Sequence, residues 1–467
     1  MERPGRPDWV GRGQLRKQDL MSRSRRAARW LQPGLVVKRW LVTSGLGLLI
    51  ALLGAAIWSD LQPIYWTLEA VKWSLSKVTQ VLPRGITGPL VLVVGGGLIW
   101  LGQSRSFGSI QQALAPEKDT HLVDALLAQR RLSRGPAIVA IGGGTGLSTL
   151  LSGLKRYSSN LTAIVTVADD GGSSGVLRRE LGVQPPGDIR NCLAALATEE
   201  PLLTRLFQYR FRAGSGLEGH SFGNLFLSAL TAITGSLESA ITASSRVLAV
   251  QGQVVPATNV DVRLWAELEN GQRIEGESQI GHATSPIVRL GCTPARPPAL
   301  PRALEAIANA DLIVLGPGSL YTSLLPNLLV PELVNAIGRS KAPRLYICNL
   351  MTQPGETDGL DVQGHLRAIE AQLASLGVDQ RLFTAVLAQD RFPPSPLLDN
   401  YLLRGAEPVR CDQEALKKQG YEVMLAPLQG TRPTATLRHD PRSLALAVMR
   451  YYRRQRREKH NTAMADA

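Results

Sequence analysis

Residues Ala137 to Leu151 read AIVAIGGGTGLSTLL, and the fold follows from how this stretch is read. A β-branched apolar run ends at Ile141, the glycines Gly142, Gly143, Gly144 and Gly146 bracket Thr145, and a leucine-rich helical pattern takes over near Leu147. Strand, glycine turn and helix open a parallel α/β unit. Glycine lets backbone turn sharply and approach a neighbour closely, and the first helical turn presents unpaired N–H groups to an anion. The spacing matches neither common phosphate loop. The last glycine of the dinucleotide fingerprint is missing, with Leu147 or Thr149 in its place, and there is no lysine for a nucleoside-triphosphate loop. Taken alone, the stretch fits a bare tight turn as well as a ligand loop.

Working outward, LTAIVTV, DLIVLG, RLYICNL and LFTAVLA are further short apolar runs, each ending near Gly, Asp or Asn and most separated by helix-length segments. This texture predicts a doubly wound, mostly parallel sheet with helical crossovers on both faces. One interval differs. Arg246 to Leu290 alternates in polarity and contains Asn270-Gly271, a hairpin signal, so a small β-rich insert is expected there.

The run LTAIVTV ends in Ala168, Asp169, Asp170, Gly171, Gly172, Ser173, Ser174 and Gly175. A carboxylate at the end of the second strand binds ribose hydroxyls in many nucleotide folds, and the glycine-serine turn adds N–H and hydroxyl donors for phosphate. The bland alternative is an Asp-rich turn with a helix cap. Asp188, Arg190 and Asn191 lie in PPGDIRN, where the Arg190 guanidinium suits a phosphate or a surface ion pair equally. His220 and Asn224 lie in GHSFGN. Two more polar turns follow strands: Gly316, Pro317, Gly318 and Ser319 with Tyr321 and Thr322, then Asn349 and Thr352 in CNLMTQPGET. Such turns belong to the carboxyl edge of a parallel sheet, where open α/β folds bind ligands.

The charge of +14 is concentrated at the chain ends. Residues 1–40 carry eleven basic against three acidic residues and residues 450–460 six against one, which leaves the body nearly neutral. That distribution disfavours nucleic acid as a partner and favours an anionic membrane surface. Residues 41–58 and 86–103 are each 18 residues without a charge, about 27 Å long as helices. They predict a two-span anchor with a short interfacial connection across the membrane, both termini inside, and the main domain in the cytoplasm. Glycine and proline in the second run leave a buried strand with a glycine turn as its alternative. The expected organisation is a basic segment 1–40, an anchor 41–103, a linker helix 104–135, an α/β domain 136–449 and a basic tail 450–467. The four cysteines are scattered without paired spacing and read as reduced core thiols.

In order, IGGGTGLSTLL, VTVADDGGSSG, PPGDIRN, GHSFGN, GPGSLYTSLLPNLL and CNLMTQPGETDG resemble the motif set of the gluconeogenesis factor family, itself related to the 2-phospho-L-lactate transferases. The resemblance covers about residues 136–449. It implies a Rossmann-like fold, a nucleotide sugar of the UDP-N-acetylglucosamine type as ligand, and a regulatory role in gluconeogenic growth, cell shape and envelope synthesis. The transferase relatives imply the alternative of a phosphotransferase, with magnesium held by Asp169 and Asp170. Members usually lack an anchor, so residues 1–135 are expected to fall outside the resemblance. The ligand set it implies is Gly142 to Gly146, Asp169 to Ser174, Asp188, Arg190, Asn191, His220, Asn224, Gly316 to Ser319, Tyr321, Thr322, Asn349 and Thr352. No base and nucleophile can be paired from sequence, though His220 with Ser319 or Ser323 is one combination. An NAD-dependent oxidoreductase is a third reading, resting only on the acid after the second strand. Self-association into a homo-oligomer is left open.

Overall fold

The computed structural model describes a helix at Gln62–Val81, a few isolated positions between 46 and 97, and residues 129–465 apart from 199–200, 393–395 and 431–435. The chain divides into two compact units, 1–128 and 129–467. In the first, α1 (Gln62–Val81) exposes Tyr65, Trp66 and Trp73. It occupies the connection expected between the two spans, and apart from the isolated positions both predicted spans lie outside the described residues. No single helix among the described residues is long and apolar enough to cross a membrane.

The second unit is built on a seven-stranded sheet. Its strands are β1 (Ile138–Gly142), β2 (Leu161–Val165), β3 (Gln253–Pro256), β7 (Leu312–Leu315), β8 (Arg344–Ile347), β9 (Ala385–Gln389) and β10 (Glu422–Ala426). The order is β10-β9-β8-β7-β1-β2-β3 and every pairing is parallel. All five apolar runs read from the sequence are strands of this sheet. They look continuously apolar because both faces are covered: along β1, Ile138 and Ala140 pack into one core while Val139 and Ile141 pack into the other.

The insert is narrower than expected. β3, at its start, joins the main sheet, and the insert proper is β4 (Arg263–Leu268), β5 (Arg273–Glu275) and β6 (Ile287–Thr293), ordered β5-β4-β6 and antiparallel. Asn270 and Gly271 form the hairpin turn, with Gly271 at φ 80° and the Asn270 side chain accepting from the Gln272 N–H at 2.9 Å.

The domain also runs past its expected end. A single helix, Pro441–Ala465, passes through residue 449 because its apolar stripe continues: Leu444, Ala445, Val448 and Tyr451 are all buried in one core. The basic tail is therefore the distal half of a docked helix.

Candidate functional site

Parallel strands deliver all their carboxyl ends to one rim. From β1 the sheet grows through β2 and β3 on one side and through β7 to β10 on the other, so the topological switch falls between β1 and β7. A crevice opens at such a point because the two connecting loops leave in opposite directions. Here those loops are Gly142–Gly146 and Gly316–Ser323.

The glycine loop is held from both sides. Strand β1 ends at Gly142, and α2 (Gly144–Leu154) starts two residues later, earlier than the sequence suggested, with Gly144 at φ 63°. A Cβ on Gly143 would collide with the Asp188 carboxylate and lie 2.9 Å from Thr166 Cγ2. A Cβ on Gly146 would lie 2.7 Å from the Pro317 carbonyl carbon. These two glycines are therefore required by protein packing, whereas Thr145 is exposed and a Cβ on Gly144 would make only ordinary contacts. A Cβ on Gly144 would stand 3.6 Å from Ser323 Oγ and 4.0 Å from Asp188 Oδ1. The acidic loops and the GPGS loop thus meet on either side of one residue.

On the Asp188 side the predicted residues form one network. α3 (Gly172–Leu181) and α4 (Gly187–Leu196) begin beside each other, and Gly187 leaves room for Asp169, whose Oδ2 would lie 2.8 Å from a Cβ there. Asp169 Oδ1 accepts from the Gly171 N–H at 2.9 Å. Ser173 Oγ is 3.0 Å from His220 Nδ1, and Asn224 Nδ2 donates to Ser173 Oγ at 3.1 Å and to Ser174 Oγ at 3.4 Å. Arg190 donates to Ser221 Oγ at 2.5 Å and to Asn191 Oδ1 at 2.9 Å. Arg190 Nε and Asn224 Oδ1 are buried with no hydrogen-bond partner among the described residues. The hydroxyl beside His220 is that of Ser173, not the expected Ser319 or Ser323, and Ser319 donates to Gln353 instead.

Sequence reading missed Glu277. It follows β5 in the insert and turns back against the acidic loop, where its carboxyl donates a hydrogen bond to Asp169. Burial first, then the neighbouring Asp169, pushes Glu277 up to about 10, so it keeps its proton at neutral pH. Burial and Asp169 likewise raise Asp188 to about 7, opposed by a hydrogen bond from the Gly144 N–H. Asp170 turns away and accepts from Ser278 N at 2.8 Å and Ser278 Oγ at 2.5 Å. The pair Asp169–Asp170 therefore does not present two free carboxylates to magnesium. Among the described residues no group of three or more His, Cys, Asp or Glu is arranged to hold a metal ion. The expected magnesium site does not fit this arrangement.

On the GPGS side, Asn349 Oδ1 accepts from the Gly318 N–H at 3.2 Å and Asn349 Nδ2 donates to the Gly318 carbonyl at 2.8 Å. Ser319 Oγ donates to Gln353 Oε1 at 2.7 Å. Tyr321 and Thr322 differ from expectation. Both are buried, with the Tyr321 hydroxyl donating to the Ile287 carbonyl and the Thr322 hydroxyl to Glu356. They brace the loop from behind. Thr352 faces the crevice, but its hydroxyl accepts from the Glu407 N–H at 2.8 Å.

On the GPGS side of the glycine loop lies a cavity of about 440 Å³, lined by Gly143 to Gly146, Thr149, Pro317 to Ser319, Ser323 and Asn349 to Pro354, whereas Asp169 to Ser174, Asp188, Arg190, Asn191, His220 and Asn224 do not line it. Its far wall is Tyr401, Ala406, Leu437, Arg438 and His439, none of which the sequence singled out. Burial lowers His439 to about 4, so its imidazole is neutral at physiological pH. Backbone N–H groups and hydroxyls on one side, with an aromatic ring and a guanidinium on the other, suit a phosphorylated ligand carrying a ring.

These features define a class: a Rossmann-like α/β domain with a crevice at the switch point, here of the phospholactate-transferase type. The family model "2-phospho-L-lactate transferase CofD" matches residues 138–429. Within that class the chain belongs to the gluconeogenesis factor family. A relative under that family name in Nostoc sp. is 58% identical over 424 residues, covering 91% of this chain and 92% of its own. The "Gluconeogenesis factor" of Bacillus subtilis is 46% identical over 314 residues, 67% of this chain and 97% of its own. A crystal structure of a UPF0052 family protein from Bacillus halodurans superposes with a TM-score of 0.63 at 46% identity, covering 68% of this chain and 99% of that one. The Nostoc match is longer than the whole of residues 129–467, so similarity extends into the first unit, contrary to the expectation that it stops near residue 136.

Proposed function

We propose that the crevice between β1 and β7 binds a nucleotide sugar, with its diphosphate over Gly144, Thr145 and Gly318 and its rings against Tyr401 and Arg438. The observation that carries this reading is the convergence of two loops on Gly144, beside a cavity of about 440 Å³. That volume lies within the range of small-molecule sites, roughly 300–1,000 Å³. The UDP-N-acetylglucosamine type is the form of ligand the motif resemblance implies. Binding would then make the protein a regulator of envelope synthesis under gluconeogenic growth, held at the membrane by residues 41–103 with its domain in the cytoplasm.

A second reading is transfer of a phosphorus-containing group, and the match to a phospholactate transferase supports it more directly than it supports the regulator. What favours binding without transfer is the placing of the polar groups: the imidazole–hydroxyl pair His220–Ser173, 3.0 Å apart, does not line the cavity, and Glu277 retains its proton against Asp169. Catalysis would need a base within reach of a nucleophile. Phosphorus NMR of the purified protein with UDP-N-acetylglucosamine and magnesium separates the readings. Ligand resonances that broaden without new products support the regulator, new phosphorus resonances support the transferase, and unaltered spectra refute both.

A further inference from the structure

The C-terminal helix, Pro441–Ala465, carries its positive charge in two sets. The first is occupied. Arg454 pairs with Glu422 and Glu458, Arg456 bonds Tyr452, and Lys459 donates to the Lys341 carbonyl at 2.7 Å. The second set is Arg442, Arg450, Arg453 and Arg457, all exposed and with no ion pair or hydrogen bond among the described residues. At about 100° per residue these four fall within an arc of about 80°, which forms a straight ridge about 22 Å long. Leu446 and His460 lie on the same exposed line.

Nothing in the fold calls for this ridge. Like charges spaced three and four apart on a helix destabilise it by about 0.2–0.5 kcal/mol a pair, and a soluble face would mix signs. The distal half of the helix also lies where the chain enters the domain: Arg134 shares a cleft with Tyr452, Gln455, Arg456 and Lys459. Residues 129–136 lead there directly from the first unit, which holds both uncharged 18-residue runs. The ligand crevice is at the opposite end of the strands.

We propose that this ridge docks on an anionic phospholipid surface and turns the ligand crevice away from it. Each arginine near such a surface gains attraction that salt screens, and a row of four matches a plane of headgroups better than a compact ligand. Arg450, Arg453 and Arg457 do not line the crevice, whereas Arg442 follows its wall residue His439 by three positions, so the test changes only the former three.

The test uses residues 129–467, which close their own two cores and correspond to the separately folded Bacillus halodurans protein. Co-sedimentation is measured with vesicles of phosphatidylcholine alone and with about 30% phosphatidylglycerol, at about 0.1 M and 0.5 M salt. Binding is expected only to the anionic vesicles, weakening at high salt. Arg450→Gln/Arg453→Gln/Arg457→Gln should lose about tenfold or more in affinity, whereas the triple lysine variant retains it. Circular dichroism melts check that both variants fold. Equal binding to neutral vesicles, an unaffected glutamine variant, or tighter binding to double-stranded RNA than to anionic vesicles would overturn the proposal.

Discussion

Glu277→Gln should make the domain more stable as the pH rises, relative to the natural protein. Glu277 is held at about 10 against an ordinary value of 4.5, by burial and by Asp169. Because the folded value is raised, its contribution is complete below about pH 4.5 and is lost as the pH climbs toward 10. Each unit in that window costs the folded state up to about 1.4 kcal/mol, since the unfolded chain gives up the proton freely. At pH 7.5 the full figure would be about 4 kcal/mol, and sharing of the charge with Asp169 and Asp188 reduces it to about 2–3. Glutamine keeps the shape and the donor to Asp169 and carries no proton to lose. Asp188, raised to about 7, adds a slope of the same sign to both proteins and cancels in the comparison. Urea unfolding of residues 129–467 from pH 5 to pH 9 measures the difference: near zero at pH 5, with the variant ahead by about 2–3 kcal/mol at pH 8. Parallel profiles, or a variant weaker at pH 8, would refute the protonated carboxyl.

Gly146→Ala should lower affinity for a nucleotide sugar about tenfold or more in calorimetry, about 1.4 kcal/mol, because its Cβ meets the Pro317 backbone and pries the two loops apart. Gly172→Ala, which meets nothing within 4 Å, should cost only the strain of its φ of 45°, about 1 kcal/mol in urea unfolding, and leave binding within about twofold. Arg190→Ala should reduce stability by about 1–2 kcal/mol, since Ser221 and Asn191 lose their charged donor, and leave binding in the cavity, which Arg190 does not line, within about twofold.

The strands most legible in the sequence were those buried on both faces, such as LTAIVTV and DLIVLG, because double burial leaves an unbroken apolar run. β3 was hidden because it is four residues long and ends in Pro256, and β10 because its residues are only half-buried at the sheet edge. The glycine loop was legible as a special place, though two of its glycines serve protein packing. Glu277 could not be read, because it reaches Asp169 through a hairpin 108 residues downstream and its sequence context is an ordinary turn. Tyr401, Arg438 and His439 were equally silent. They come from segments with no glycine signature, and only the return of the chain beside β8 brings them to the crevice.

Hydrogen–deuterium exchange of the protein with and without UDP-N-acetylglucosamine tests most directly whether one crevice at the switch point holds the ligand. Added protection is predicted in peptides covering Gly142–Thr149, Gly316–Ser323 and Asn349–Pro354, with little change in β10 or the insert. Protection confined to any other surface, or none at about millimolar ligand, would contradict it.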